Sequence, residues 1–311
     1  MSLRMSTCHR NARYNQALSD SFKRSGATRR LVPCRVLITE SEVLIDTPTG
    51  AMRTSLFKPS VSSQEVKFPG VIVYSEIYQV TGPIERICRR IASEGYVVAA
   101  GDVYHEYVTG SLGYTNEGTD RGNTLKVTKP IQSHDSDTTA LVNYLLSMPE
   151  CNGRIGTFGL CLGGGLAFRA TLASPHVRAA ACHFATDIHN RGLGPQNGEP
   201  LPEGVRHSID NISALRGEAM MVWGTQDPHI PAEGRTALRD ALLKAGATFT
   251  WAELNANHAF LRDDCSKGRY DAAISNIAYE MTFELFTRRL TLGLLDDGLT
   301  KIPGPPGTSV A

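Results

Sequence analysis

Few of the features that announce a membrane, nucleic-acid or redox protein occur in this chain of 311 residues. No apolar run approaches the roughly 20 residues that a membrane helix needs, so a membrane is not an expected partner. Neither sign of charge dominates: 32 lysines and arginines face 31 acids, for a net charge of +1, and no basic face is interleaved with aromatics. Nucleic acid is therefore not expected either. Seven cysteines, odd in number and irregularly spaced, argue against a disulfide framework and for a reducing compartment. No Cys-x-x-Cys pair suggests thiol redox chemistry, and Gly163-Gly164-Gly165 lacks the Gly-Lys-Ser/Thr ending of a phosphate loop. His183, His189 and Asp187 match no metal spacing, and no cofactor is called for. No internal repeat is visible.

The two ends differ from the middle. Residues 1–33 carry Arg4, Arg10, Arg13, Lys23, Arg24, Arg29 and Arg30 against the single acid Asp20, together with several serines. They read as a basic disordered tail or a mitochondrial targeting segment. The expected location is accordingly the cytoplasm, with the mitochondrion as the alternative. Residues 294–311 contain Pro303-Gly304-Pro305-Pro306-Gly307, which holds neither helix nor strand and reads as a disordered tail. Between them, 34–293 read as one domain.

In that domain the pattern changes period repeatedly. Val43 to Asp46 and Ala51 to Phe57 alternate around the Thr47-Pro48-Thr49-Gly50 turn, as an antiparallel pair would. Strands at 70–74, 96–100, 155–158, 177–184, 219–223 and 248–253 then alternate with helices at 83–94, 135–147, 166–172, 232–245 and 270–290. The fold class is α/β, a mostly parallel sheet with an antiparallel start and helices on both faces. Val103 to Pro130 and Thr186 to Asn211 are rich in Gly, Asn, Pro and Asp and read as long loops walling a site.

The most informative stretch is Gly159-Leu160-Cys161-Leu162-Gly163, set between the apolar run 155–158 and a helix. Strand, tight turn and helix make a nucleophile elbow, and the glycines flanking the central residue permit close approach of the two elements. Cysteine occupies the nucleophile position. Such a thiol needs a base, and the base an orienting acid, in the chain order nucleophile, acid, histidine. Asp227 follows the buried strand 219–223 in Gly224-Thr225-Gln226-Asp227-Pro228, and His258 follows the last strand in Asn257-His258-Ala259. Singly, Asp227 fits a turn and His258 a surface loop; jointly, order and strand-end placement make them partners of Cys161. The N–H of Leu162, next after the nucleophile, is an oxyanion donor in such an elbow. Cys88 and Cys182 read as core, Cys8, Cys34, Cys151 and Cys265 as surface or loop thiols, and His105 and His134 as structural or solvent-facing.

These stretches, with Tyr74-Ser75-Glu76-Ile77-Tyr78, Gly101-Asp102-Val103-Tyr104 and Asn257-His258-Ala259-Phe260, resemble the dienelactone hydrolase (carboxymethylenebutenolidase) family of the α/β-hydrolase fold over about residues 40–290. The resemblance implies that Glu76 contacts the thiol and helps control its ionisation. It implies that Ile77 supplies the second oxyanion N–H, and that Arg262 binds a substrate carboxylate beside Tyr78 and Tyr104. The family uses a second arginine, for which Arg121 is the nearest candidate although it falls out of clean register. The expected function is hydrolysis of small carboxylic esters or lactones by a Cys161–His258–Asp227 triad through a thioester, in a monomer or homodimer. Alternatives are a thioesterase or natural-product esterase with the same triad, or a non-catalytic small-molecule receptor using the same pocket.

Overall fold

The computed structural model describes residues 37–61 and 65–293; the expectations for both tails, Cys8 and Cys34 lie outside them. The strands are β1 (Ile38–Thr47), β2 (Gly50–Pro59), β3 (Phe68–Tyr74), β4 (Val97–Gly101), β5 (Cys151–Leu160), β6 (Val177–His183), β7 (Glu218–Gly224) and β8 (Phe249–Leu254). They form one sheet in the order β1-β2-β4-β3-β5-β6-β7-β8. β1, β2 and β4 pair antiparallel, and every other neighbour is parallel. This is the mixed sheet expected, with its antiparallel start. Buried on both faces, the central strands read as continuous apolar runs, with Val71, Ile72, Val97, Val98, Ile155, Phe158, Ala219 and Met221 all essentially inaccessible.

Helices α1 (Gly82–Ser93), α2 (Asn116–Thr128), α3 (Ile131–Ser147), α4 (Leu162–Ala173), α5 (Ala232–Lys244) and α6 (Ala272–Phe286) connect or flank the strands. Proline stands in the first turn of α1, where a missing N–H costs nothing, and Gly95 follows its end with φ of 92°. α4 is buried at every residue from Leu162 to Thr171, so it is a core helix rather than an amphipathic one. Among the described residues no helix is long and apolar enough to cross a membrane.

The chain places β4 on one side of β3 and β5 on the other. The sequential order therefore reverses between β3 and β5, the place where open α/β sheets hold their ligands. Glu76 follows β3, Cys161 follows β5, Asp187 follows β6, Asp227 follows β7 and His258 follows β8.

Two expectations need correction. Residues 103–130 are not one loop, since 116–128 form α2. Its buried face is Gly118, Gly122 and Leu125, so two of its three inward positions are glycines and no apolar period shows. A Cβ at Gly118 would lie 2.3 Å from the Gly113 carbonyl oxygen, and one at Gly122 2.4 Å from that of Ile77, so the glycines let the helix lie on backbone. Cys151 is buried, because β5 begins at this residue rather than at Ile155. The His105 and His134 side chains are buried, which agrees with the structural one of the two readings given for them.

Candidate active site

Cys161 stands between β5 and α4 with φ 57° and ψ −121°, a conformation that an L-residue adopts only when its surroundings impose it. Its N–H donates to the His183 carbonyl (3.1 Å), and its carbonyl accepts from the Thr186 N–H (3.0 Å). The flanking glycines explain how strand and helix approach. A Cβ on Gly159 would meet the Gly163 carbonyl oxygen at 1.9 Å, and one on Gly163 the Tyr74 carbonyl oxygen at 2.1 Å. The elbow therefore presses against the end of β3, which carries Glu76 and Ile77.

Asp227 and His258 are joined through backbone. The Thr225 N–H donates to the Leu254 carbonyl and the Gln226 N–H to that of Ala256, zipping the turn after β7 to the turn after β8. Gly224 permits this, since a Cβ there would lie 2.4 Å from the Ala256 oxygen. As a result His258 Nδ1 donates to Asp227 Oδ2 at 2.7 Å, with both side chains more than nine-tenths buried. The other oxygen of Asp227 accepts from the His229 N–H at 2.8 Å.

The imidazole lines the same cleft as Cys161, and its ring packs edge-on with Phe184 at 5.0 Å. Burial works against a charged ring, but the sulfur's charge and the Asp227 carboxylate outweigh it and lift the His258 pKa to about 10.

A cleft of about 380 Å³ opens over these groups, lined among others by Glu76, Ile77, Tyr78, Cys161, His258 and Arg262. Glu76 is 2% exposed and both its oxygens are engaged, Oε1 by Arg262 Nη1 (3.1 Å) and Oε2 by the Tyr114 hydroxyl (3.2 Å). Arg262 is itself buried, with its guanidinium 4.4 Å from the Tyr114 ring centre and 5.7 Å from that of Tyr78. Leu162 begins α4, so its N–H has no partner inside the helix.

The structure thus brings Cys161, His258, Asp227, Glu76, Leu162, Ile77, Tyr78 and Arg262 together. It does not bring in the other two named residues. Arg121 is exposed on α2 and does not line the cleft. Tyr104 is fully buried behind it, its hydroxyl donating to the Gly122 carbonyl.

Sequence reasoning missed Tyr114, a single aromatic in a polar stretch with no period to mark it. It also missed His229, an exposed ring whose centre lies 4.5 Å from that of His258, although its position two residues after Asp227 was a usable signal. Lys126, Lys267 and Arg269 line the cleft too. Lys126 pairs with Asp187 at 2.8 Å.

A second polar cluster, His105, Glu106 and Asp137, has the ligand types of a metal site. The fully buried Lys129 ammonium already fills it, bonded to Glu106, Asp137 and the Val103 carbonyl. A cation's place there is taken by the chain itself. A larger, open groove of about 630 Å³ alongside α3 and α4 is lined by no cysteine and no histidine.

Comparison with known proteins places this architecture among relatives. The family model described as "Dienelactone hydrolase family" matches residues 52–290. A Saccharomyces cerevisiae protein named "Putative carboxymethylenebutenolidase" is 43% identical over 264 residues, spanning 83% of this chain and 95% of its own. The "Carboxymethylenebutenolidase" of a Pseudomonas species is 24% identical, over 73% of this chain and 87% of its own. The solved structure of a Klebsiella pneumoniae protein described as "Putative Dienelactone Hydrolase" superposes with a TM-score of 0.65 at 21% identity, covering 81% of this chain and 99% of that one. At that identity the superposition shows a common α/β-hydrolase fold.

Proposed function

This chain belongs to the dienelactone hydrolase family and is a hydrolase of ester or lactone bonds, and we propose that it cleaves them with Cys161 as nucleophile. The observation that carries the reading is the 2.7 Å bond from His258 Nδ1 to Asp227 Oδ2, in the cleft that His258 shares with Cys161. An imidazole so placed takes the thiol proton and holds it as imidazolium, leaving a thiolate at the top of the elbow.

The thiolate attacks the substrate carbonyl and forms a C–S bond. The N–H groups of Leu162 and Ile77 are the donors that would receive the charge growing on oxygen. When the C–O bond breaks, the leaving oxygen takes the proton from His258, and a thioester remains. The neutral imidazole then takes a proton from water, hydroxide attacks the thioester, and the acid departs as the thiolate returns. A thiolate leaves more readily than an amine anion, so enol lactones, activated esters and thioesters are favoured over amides.

The cleft also carries a preference for charge. Lys126, Arg262, Lys267 and Arg269 line it against the acids Glu76 and Asp187. Arg262 and Lys126 are neutralised by those two acids, leaving Lys267 and Arg269 at the mouth. A substrate bearing an acid group at the end remote from the scissile bond suits that arrangement.

The test is turnover of activated esters, lactones and thioesters, with and without a remote carboxylate, by the wild type and Cys161→Ala. Loss of hydrolysis in the folded variant supports the reading, and unchanged turnover refutes it.

A further inference from the structure

Thr81 occupies the N-cap of α1, a position where threonine usually caps the helix with its own hydroxyl. It makes no such bond, and its Oγ1 lies 2.7 Å from the Tyr114 hydroxyl instead. Tyr114 in turn reaches Glu76 Oε2 at 3.2 Å. A carboxylate can only accept, so the single phenol proton goes to Glu76 and Thr81 must donate to Tyr114. The direction of the whole chain is thereby fixed. A capping residue that gives up its cap marks a place where local stability has been set aside for another purpose.

From this geometry we propose that Thr81 and Tyr114 form a positioning chain that locks Glu76 onto Arg262 and so keeps its charge away from Cys161. Glu76 and Cys161 share one cleft, and Glu76 is 2% exposed, so water does not satisfy it. An uncompensated carboxylate there opposes a thiolate nearby. Arg262 compensates one oxygen and Tyr114 the other, while the Tyr114 ring lies beneath the guanidinium and fixes its plane.

Burial, with the neighbouring Glu76 charge, pushes the Tyr114 phenol well above its ordinary value, so it remains a donor at every physiological pH. Removing the hydroxyl strands one carboxylate oxygen, and a stranded buried acceptor turns toward another donor. The cleft offers the thiol.

The inference rests on Cys161 being the nucleophile. Its test is the rate of Cys161 alkylation by iodoacetamide between pH 5 and 9, read at that cysteine by peptide mass spectrometry because Cys265 is exposed while Cys161 is half-buried. In Tyr114→Phe the rate at pH 6 falls about five- to tenfold and the midpoint of the profile moves to higher pH, the size expected for one new unfavourable charge contact. In a Glu76→Gln background the same substitution has no effect, since no charge remains to be held. His258, Asp227, His229 and the Lys126–Asp187 pair are common to all these variants, so the difference isolates Glu76.

Thr81→Val shifts the profile in the same direction by a smaller factor, and it carries the test if Tyr114→Phe fails to fold. A Tyr114→Phe profile that superposes on the wild type overturns the proposal, as does a shift that persists undiminished without the Glu76 charge. If turnover survives loss of the Cys161 thiol, the nucleophile assignment itself fails, a result distinct from either.

Discussion

Adding one methyl group at Gly163 tests whether the elbow's geometry positions the chemistry. An ideal Cβ there would lie 2.1 Å from the Tyr74 carbonyl oxygen and 2.6 Å from that of Ser75. Real Cβ contacts essentially never fall below 3.0 Å, so strand and helix must part by close to 0.9 Å. Both obstacles are backbone, and neither can rotate aside. Overpacking against fixed walls costs about 3 kcal/mol, the upper end of the usual range. In a domain of this size that lowers the melting temperature by roughly 6–12 °C. The displaced segment carries Glu76 and Ile77, and about 1 Å of misplacement at a reacting centre costs on the order of a hundredfold in rate.

The assay is thermal melting of Gly163→Ala by circular dichroism, with ester turnover measured well below its melting point. A melting temperature within 2 °C of wild type together with turnover within about threefold would refute the reasoning, because the tolerance assumed absent would then exist.

Two further outcomes follow from the buried groups. Asp227→Asn keeps the shape but removes the charge that holds His258 in its working tautomer, and hydrolysis drops on the order of a thousandfold or more without a large change in KM; a loss under tenfold contradicts the role given to the 2.7 Å bond. His183 is fully buried beneath the elbow, and desolvation lowers its pKa to about 3. The unfolded chain takes a proton near pH 6.5 that the folded chain refuses. Stability contributed by the neutral ring is therefore complete above pH 6.5 and is lost as pH falls from there toward 3, at up to about 1.4 kcal/mol per pH unit. Urea unfolding of His183→Asn between pH 6.5 and 4.5 should be less steep in pH than the wild type by about that slope, and parallel slopes would contradict it.

How far the sequence revealed this molecule depended on where the information was held. Strands such as 70–74 and 219–223 are buried on both faces, so each is a continuous apolar run that no loop would carry. The elbow was legible because close approach of two backbones leaves glycine as the only residue possible at 159 and 163. α2 was not legible for the same physical reason. It packs by glycine rather than by apolar side chains, and glycine in a polar stretch looks like loop.

The site divided similarly. Cys161, Asp227 and His258 follow strands, whose ends can be counted. Tyr114 and Arg269 come from segments whose path across the cleft depends on tertiary packing. Arg121 illustrates the converse: on a helix, a few residues of register separate the cleft from solvent, and here Lys126 lines the cleft while Arg121 is exposed.

The most direct test of the central claim is the mass of the enzyme itself, taken within one turnover of an activated ester and after acid quench. The account predicts a gain equal to the acyl group, located on the peptide containing Cys161 and absent from Cys161→Ala. Rapid hydrolysis with no adduct in the wild type, and undiminished hydrolysis in the variant, would contradict it.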